Sequence, residues 1–429
     1  MTSKRYHMQH QEWLEASEGV RVFLVQQGIP ENSTIALRNM APKTLIAWFW
    51  GIARHRCTAV LLSDRDPDDV ISARCAQVGA KYVFSHLPPP AIPTKRHPVD
   101  EHRIAAILFT SGSTNTPKAV AHSLQTLKSS ALASNKNIAL ADQDRWLLSL
   151  SLWHIGGLAI MFRTLYAGAQ LIYPNRMYSL GEQIRNHRIT HLSVVATQLY
   201  RLLQENDIDL SSLKAILVGG GPIPSRLIDV SHHLPIHSTY GMTELGSQLC
   251  TTPPNSKLRI RKTAGRPLKG WEIKIDSNNQ IWARGPALFL GYIQHQKPIL
   301  PQDEQGFFAT GDTGKIDNNG CLVVLGRCDQ MFISGGENIH PEEIEGHLCA
   351  HPKVEAALVL AIEDAEYGKR PVAFVKGNVT QQSLSHLLQQ TLPKYKHPDA
   401  YFAWPKDLPT QKPSRKQARK YLLHAISLP

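Results

Sequence analysis

Paired cysteines are missing from this sequence. The six cysteines, at positions 57, 75, 250, 321, 328 and 349, are scattered, and none falls in a Cys-x-x-Cys pair. That excludes a zinc-finger ligand set and a disulfide framework, and it fits a reducing cytoplasm. Long apolar runs are missing too. No window reaches the ~18 uninterrupted apolar residues of a membrane span. The longest runs, such as "TLIAWFWGIA", suit buried helices, and the opening "MTSKRYHMQHQEWLEASEGV" lacks the apolar core of a signal peptide. Acidic residues are in deficit: 35 Asp and Glu face 47 Lys and Arg, for a formal charge of +12, with 20 histidines besides. Such a balance admits nucleic acid, a membrane surface or small polyanions such as nucleotides. The basic residues are dispersed except in the tail "KPSRKQARK" (412–420), and there is no RNA-binding signature, zinc finger or basic zipper. The expectation is therefore a small polyanionic ligand, with neither nucleic acid nor membrane as partner. No internal repeat is apparent.

The 429 residues, 42% of them hydrophobic, exceed one ordinary core and imply two or three domains. In the first third, apolar strands alternate with helical patterns: "STIALRN", "APKTLIAWFWGIARHR", "CTAVLLS", "PDDVISARCAQVGA", "KYVFSH". This alternation predicts a parallel α/β sheet. The proline-rich "LPPPAIPTKRHPVD" reads as a connection. From "RIAAILFT" to "LKAILVGGG" the alternation resumes, which predicts a second doubly wound layer. From about Arg261, short alternating strands and Asn/Gly turns predict a β-rich part. From about residue 330, helix and strand alternate again, which predicts a small α+β unit.

Four stretches carry chemistry. "FTSGSTNTPKAVAH" (109–122) gathers hydroxyls around one glycine, then places Lys118. Hydroxyls and exposed backbone N–H groups form a concave anion site, and a lysine adds a point charge, so the stretch suits a polyphosphate or is a solvated loop. It is not a Walker A loop. "STYGMTELG" (238–246) offers the flat face of Tyr240 to a base, with Glu244 as a hard oxygen ligand for Mg2+ and Thr243 beside it, or is a capped turn. "TGDTGKID" (310–317) leads to "GRCDQMFISGGENIHPEEIE" (326–345). Asp312 can accept two ribose hydroxyls and Arg327 can donate to sugar or phosphate. Ser334, Gly335 and Gly336 form a turn poor in side chains, and "HPEEIE" starts a helix with proline and acids in its first turn. In the tail, Lys416 and Arg419 share a helical face, which alone is no more than a solvated basic end.

In this order and at these separations, the stretches resemble the adenylate-forming superfamily of acyl-CoA synthetases, luciferases and peptide-synthetase adenylation domains. The resemblance runs from about residue 30 to the tail. Within the superfamily, "RWLLSLSLWHIGGLAIMFRTLYAGAQL", "ATQLYRLL", "LKAILVGGGPIP" and "YGKRPVAF" are similar to the o-succinylbenzoate–CoA ligases of menaquinone biosynthesis. The resemblance implies an α/β fold: a large N-terminal domain (1–327) of doubly wound sheets with a β-rich subdomain, and a small mobile α+β C-terminal domain (328–429). It implies ATP, Mg2+ and coenzyme A, and two half-reactions, adenylation of a carboxylate and acyl transfer to the CoA thiol. Thr110, Ser111, Gly112, Ser113, Thr114 and Lys118 would then hold phosphate. Tyr240 would stack on adenine, with Gly241 also at the nucleotide; Gly219, Gly220 and Gly221 would allow close approach to adenine or the acyl group, or make a tight turn. Thr243 and Glu244 would hold phosphate and Mg2+, and Asp312 and Arg327 the ribose. Lys416 would bridge the carboxylate and the α-phosphate. Asp329 would be the hinge, and Ser334–Gly336 would replace Lys416 for the thioester step. His154, after Trp153, would flank the acyl and pantetheine channels. Arg163 would read the second carboxylate of a succinylbenzoate or bridge core elements, and Thr197 and Gln198 are further pocket candidates. A homodimer in the cytoplasm is a family-level expectation.

Three departures stand out. Asn115 replaces a glycine in the phosphate loop. Ser414 and Arg415 precede Lys416 instead of the usual glycine, and another alignment gives the lysine's role to Lys412. The N-terminus is short, so an edge strand of the first subdomain is expected to be missing. The rival readings are another acyl- or aryl-CoA ligase, an enzyme that loads a carrier protein, and a non-catalytic nucleotide binder.

Overall fold

A computed structural model describes residues 2–86, 97–110, 117–206, 208–410 and 413–426, with side chains described from residue 12 to residue 425 except at residue 14. Ser111, Gly112, Ser113 and Thr114 lie outside the described residues.

Two seven-stranded sheets form the body. In the first, the strands Tyr82–Phe84, Thr34–Leu37, Thr58–Leu61 and Ile104–Thr110 run parallel. Ile104–Thr110 then turns back on Lys118–Ser123 as an antiparallel hairpin, with Thr110 opposite Lys118. In the second, Gln170–Ile172, Arg145–Leu147, His191–Val194, Ala215–Val218 and Ile236–Tyr240 run parallel. Buried on both faces, these strands read as continuous apolar runs. Helices Leu124–Ile138 and Ile155–Ala167 lie between the sheets. Their core joins Leu108 of the first sheet to Trp146 and Leu171 of the second. Ser123 ends the hairpin and caps the first of these helices, its hydroxyl accepting the Thr126 N–H at 3.1 Å. The Asn135 amide donates to the Arg163 carbonyl at 2.9 Å and locks the two helices side by side.

The third, four-stranded antiparallel sheet comprises Glu272–Ile275, Gln280–Arg284, Phe308–Ile316 and Leu322–Arg327. Two strands that fall in this β-rich stretch pair elsewhere. Gly291–Gln294 joins the first sheet beside Lys118–Ser123. Arg266–Pro267 joins the second sheet beside Cys250–Thr251. A local alternation pattern identifies a strand but not its partner, so the sequence could not place them.

Beyond residue 330 the chain forms a hairpin, Phe332–Ser334 with Glu337–Ile339, and a sheet of Val354–Asp364, Gly368–Gly377 and Tyr401–Ala403. Helices Pro341–Cys349, Gln381–Thr391 and Arg415–Ile426 cover it. Two apolar clusters here draw their members only from residues 332 to 422.

Candidate active site

The hairpin Ile104–Thr110/Lys118–Ser123 brings Lys118 to the edge shared with Gly291–Gln294. Lys118 Nζ stands 4.8 Å over the ring of Tyr292, and the Tyr292 hydroxyl donates to Glu244 Oε1 at 2.8 Å. Glu244 is buried in the short turn Thr243–Leu245. Burial raises its carboxyl pKa, and the Tyr292 bond and Lys118 charge partly offset that. Burial also raises the Tyr292 phenol, with the Glu244 charge adding to it. The turn is set by Gly241, where a Cβ would overlap the Ser247 backbone. It is pinned by His122, whose Nε2 lies 2.7 Å from the Thr243 carbonyl. A carbonyl accepts, so Nε2 carries the proton. Full burial pushes the His122 pKa down to about 4, with the Thr243 bond opposing, so the ring is neutral at pH 7.

A second cluster sits where the second and third sheets meet. The Tyr240 hydroxyl donates to Asp312 Oδ2 at 2.6 Å. Arg327 Nη1 donates to Asp312 Oδ1 at 3.1 Å, and its Nε reaches Asp329 Oδ1 at 3.4 Å. Asp312 and Arg327 are register partners on antiparallel strands, which explains how residues fifteen apart meet. Burial raises the Asp312 carboxyl while Tyr240 and Arg327 oppose it. Gly219 ends the neighbouring strand, and a Cβ there would meet Thr239 Oγ1; Gly220 has φ 79°. Gly220 thus adopts a backbone conformation that favours glycine, whereas at Gly219 it is the Thr239 side chain that leaves no room for a Cβ.

Arg163 is buried in helix Ile155–Ala167, 2% exposed. Its Nη2 donates to Gln248 Oε1 at 2.8 Å and Ser247 Oγ at 3.2 Å. Its guanidinium lies 5.4 Å over the Trp146 ring. Among the described residues no carboxylate pairs with it, and burial alone pushes its pKa down to about 9. Buried polar atoms without a hydrogen-bond partner include Arg163 Nε, Nε1 of the Trp146 ring beneath it, His191 Nε2 and Ser193 Oγ. Trp146 and His191 are register partners, and Ser193 follows two residues on, so the three share one face of the second sheet. Gln198 caps its own helix: its Oε1 accepts from the Val195 N–H at 3.0 Å and its Nε2 donates to the Ser149 carbonyl at 3.3 Å. Thr197 is half-buried beside it, and His154 is exposed before the helix that carries Arg163.

In the C-terminal part, Gly335 (φ 57°) and Gly336 (φ 84°) make the two-residue turn after Ser334. The Gly335 N–H donates to the Tyr367 carbonyl at 2.9 Å, and Arg370 Nη1 donates to Ser334 Oγ at 3.4 Å. Lys416 is exposed in the first turn of helix Arg415–Ile426. Ser414 caps that helix, its hydroxyl accepting the Gln417 N–H at 3.2 Å.

Comparison with known proteins fits this geometry. The AMP-binding enzyme family matches residues 85–293, and the AMP-binding enzyme C-terminal domain matches residues 343–415. A 2–succinylbenzoate–CoA ligase of Escherichia coli is 33% identical over 401 residues, 89% of this chain and 85% of that protein. The chain belongs to the 2-succinylbenzoate–CoA ligase family. A family member from Bacillus velezensis is 36% identical over 313 residues, 70% of this chain, and the aligned part spans 64% of that relative. Two solved structures of the o-succinylbenzoate CoA synthetase of Bacillus subtilis are each 28% identical. The complex with the acyl-adenylate intermediate has a TM-score of 0.86 and covers 95% of this chain and 92% of that one. The complex with ATP and magnesium has a TM-score of 0.82 and covers 93% and 91%.

Several side chains that organise this candidate site carry no signal in the sequence. Tyr292, His122, Trp146 and Gln248 meet their partners only across elements far apart in the chain. Glu342 and Glu345 did carry one, two acids three residues apart on a helix, but it read only as a helix start.

Proposed function

We propose that the protein adenylates o-succinylbenzoate with ATP and transfers the acyl group to coenzyme A, as the names of its relatives describe. The observation that carries the choice of acid is Arg163. A buried cation whose hydrogen bonds, among the described residues, go to neutral groups and whose Nε is unpartnered suits an anion. Succinylbenzoate has two carboxylates. One is activated, and the other would fit beside Arg163, with Ser193 and Trp146 as further donors.

In the first half-reaction a carboxylate oxygen attacks the α-phosphorus, forming the acyl–phosphate bond as pyrophosphate leaves. Ser113, Thr114 and Lys118 hold the β- and γ-phosphates, Tyr240 and the glycines 219, 220 and 241 frame the adenine, and Asp312 and Arg327 grip the ribose. Lys416 bridges the carboxylate and the α-phosphate. The residues act by charge neutralisation and in-line positioning rather than as nucleophiles. Among the described residues there is no group of three or more His, Cys, Asp or Glu able to hold a metal. A Mg2+ that arrives with the nucleotide needs only a carboxylate, phosphates and water. Glu244, beside Thr243 and near Lys118, meets that need, and the ion would neutralise phosphate charge. In the second half-reaction the CoA thiolate attacks the acyl carbon and AMP leaves. His154 flanks this channel, and Thr197 lines the acyl side.

The two half-reactions share one site if residues 328–429 move against residues 1–327 about Asp329. The apolar clusters confined to residues 332–422 support such a unit. Ser334, Gly335 and Gly336 then replace Lys416. We place the protein in the cytoplasm, as its unpaired cysteines suggest; a homodimer is what the family resemblance implies.

The test is pyrophosphate release with ATP and Mg2+ across a panel of carboxylic acids, with and without CoA. The expected result is a response to o-succinylbenzoate well above that to monocarboxylates, a CoA thioester as product, and loss in Lys416→Ala. A response only to monocarboxylates would discard this substrate. Silence across the panel would discard the activity.

A further inference from the structure

Arg415 stands where the resemblance calls for a glycine, and its guanidinium is committed. Nη1 donates to Glu345 Oε1 at 2.7 Å, and Nη2 donates to Glu342 Oε1 at 2.7 Å and Glu345 Oε2 at 3.2 Å. Glu342 and Glu345 lie one turn apart on helix Pro341–Cys349. Glu345 Oε1 also accepts the Val359 N–H at 2.7 Å. The fork therefore ties three elements together: the Lys416 helix, the Pro341–Cys349 helix and the strand Val354–Asp364.

The position along the Lys416 helix matters. Arg415, Ala418 and Leu422 fall on one helical face, and Ala418 and Leu422 pack into the apolar cluster with Leu358 and Phe374. The first apolar anchor, Ala418, is two residues beyond Lys416, and the Arg415 fork ties the turn that carries Lys416 to the neighbouring helix. The other end of the clamp reaches the nucleotide side. Glu342 Oε2 is buried without a partner, and a Cβ on Gly326 would stand 2.5 Å from it. Gly326 immediately precedes Arg327, the ribose-side arginine.

We propose that Arg415 is a positioning residue for the adenylation half-reaction: its fork to Glu342 and Glu345 fixes where Lys416 stands on the C-terminal unit, against the helix whose Glu342 meets Gly326 in this arrangement. This rests on the role of Lys416 given above. Lysine cannot reproduce the fork, because a point charge leaves one of the two carboxylates unpaired. Misplacement of a reacting group by ~1 Å can cost about 100-fold.

The experiment separates the half-reactions in the full chain. ATP–pyrophosphate exchange with o-succinylbenzoate reads the first. Thioester formation from synthetic o-succinylbenzoyl adenylate and CoA reads the second. Arg415→Ala and Arg415→Lys are expected to lower the exchange kcat by roughly 10–100-fold, with the KM for ATP within about threefold. The second step should stay within about threefold of the parent. Arg415→Ala/Lys416→Ala should be no slower in exchange than Lys416→Ala, because the two act as a unit. Since a lone Arg415→Ala leaves part-buried carboxylates unpaired, a triple variant, Arg415→Met with Glu342→Gln and Glu345→Gln, removes the charges together. It should melt like the parent and still lose exchange.

An equal fall in both half-reactions would overturn the proposal, as would losses that multiply in the double variant. Loss of exchange in Lys416→Ala with full activity in the Arg415 variants would remove this proposal and leave the Lys416 role standing. Full exchange in Lys416→Ala would remove both.

Discussion

Arg163 holds a charge inside the molecule, and among the described residues no opposite charge meets it. Keeping such a group buried costs stability, and that cost is tolerated where an anion binds. Arg163→Met should therefore leave the melting temperature unchanged or raised, while kcat/KM for o-succinylbenzoate falls roughly 10- to 100-fold, the value of one or two charge-assisted hydrogen bonds. Monocarboxylates should lose much less. A calorimetric melt and steady-state kinetics on one preparation check both halves. Glu244→Gln keeps the shape and the Tyr292 contact but loses the charge. It should lower pyrophosphate release by at least about tenfold and raise the Mg2+ concentration needed for half-maximal rate. A Mg2+ titration reads this directly. At this scale the sequence was informative about residue types and silent about partners. Lys118, Glu244, Asp312 and Arg327 stand out as charges in motifs, and the structure brings Asp312 and Arg327 into register. Tyr292, which links Lys118 to Glu244, stands out in no motif, because its role arises only from pairing with a strand some 170 residues earlier.

The elements that build the site are hairpins and tight turns whose backbones leave little freedom. Gly241 is the clearest case, since a methyl group there would overlap the Ser247 carbonyl. Gly241→Ala should destabilise the protein by about 1–3 kcal/mol or disturb the Thr243–Leu245 turn. Urea unfolding gives the first, and the ATP requirement for pyrophosphate release the second. Gly335 and Gly336 both have positive φ, which a two-residue hairpin turn demands. The alternation of strands and helices was legible because parallel strands buried on both faces leave uninterrupted apolar runs. The β-rich stretch after Arg261 was less so. Its strands divide among three sheets, and the choice of sheet is made by packing between elements that the local pattern does not contain. The Ser414–Arg415 departure before Lys416 reads as a defect in the motif and is, in space, a helix cap and a forked ion pair.

At the scale of the whole molecule, buried histidines set the response to acid. His122 and His191 are both pushed down to about 4 from 6.5, by burial first. The unfolded chain then binds protons that the folded one refuses. Stability from these two groups is full above pH 6.5 and is lost as pH falls toward 4. Glu345 has the opposite sign. Its carboxyl is pushed up to about 7, so its contribution falls as pH rises from 4.5 to 7. Urea midpoints at pH 7.5, 6 and 5 should decline with acid, and His122→Gln and His191→Gln should each flatten the decline. No described helix is long and apolar enough to cross a membrane. The family is legible because the motifs keep their order across almost the whole chain, and the fold is shared with the Bacillus subtilis synthetase at a TM-score of 0.86.

The central claim is that one site makes an acyl-adenylate and then a thioester. The most direct measurement is a single turnover with enzyme in excess over o-succinylbenzoate, ATP and Mg2+, quenched and read by mass spectrometry before and after CoA is added. The account predicts o-succinylbenzoyl adenylate with matching pyrophosphate before CoA, converted to the CoA thioester and AMP afterwards. ATP left intact, or an adenylate that persists after CoA, would contradict it.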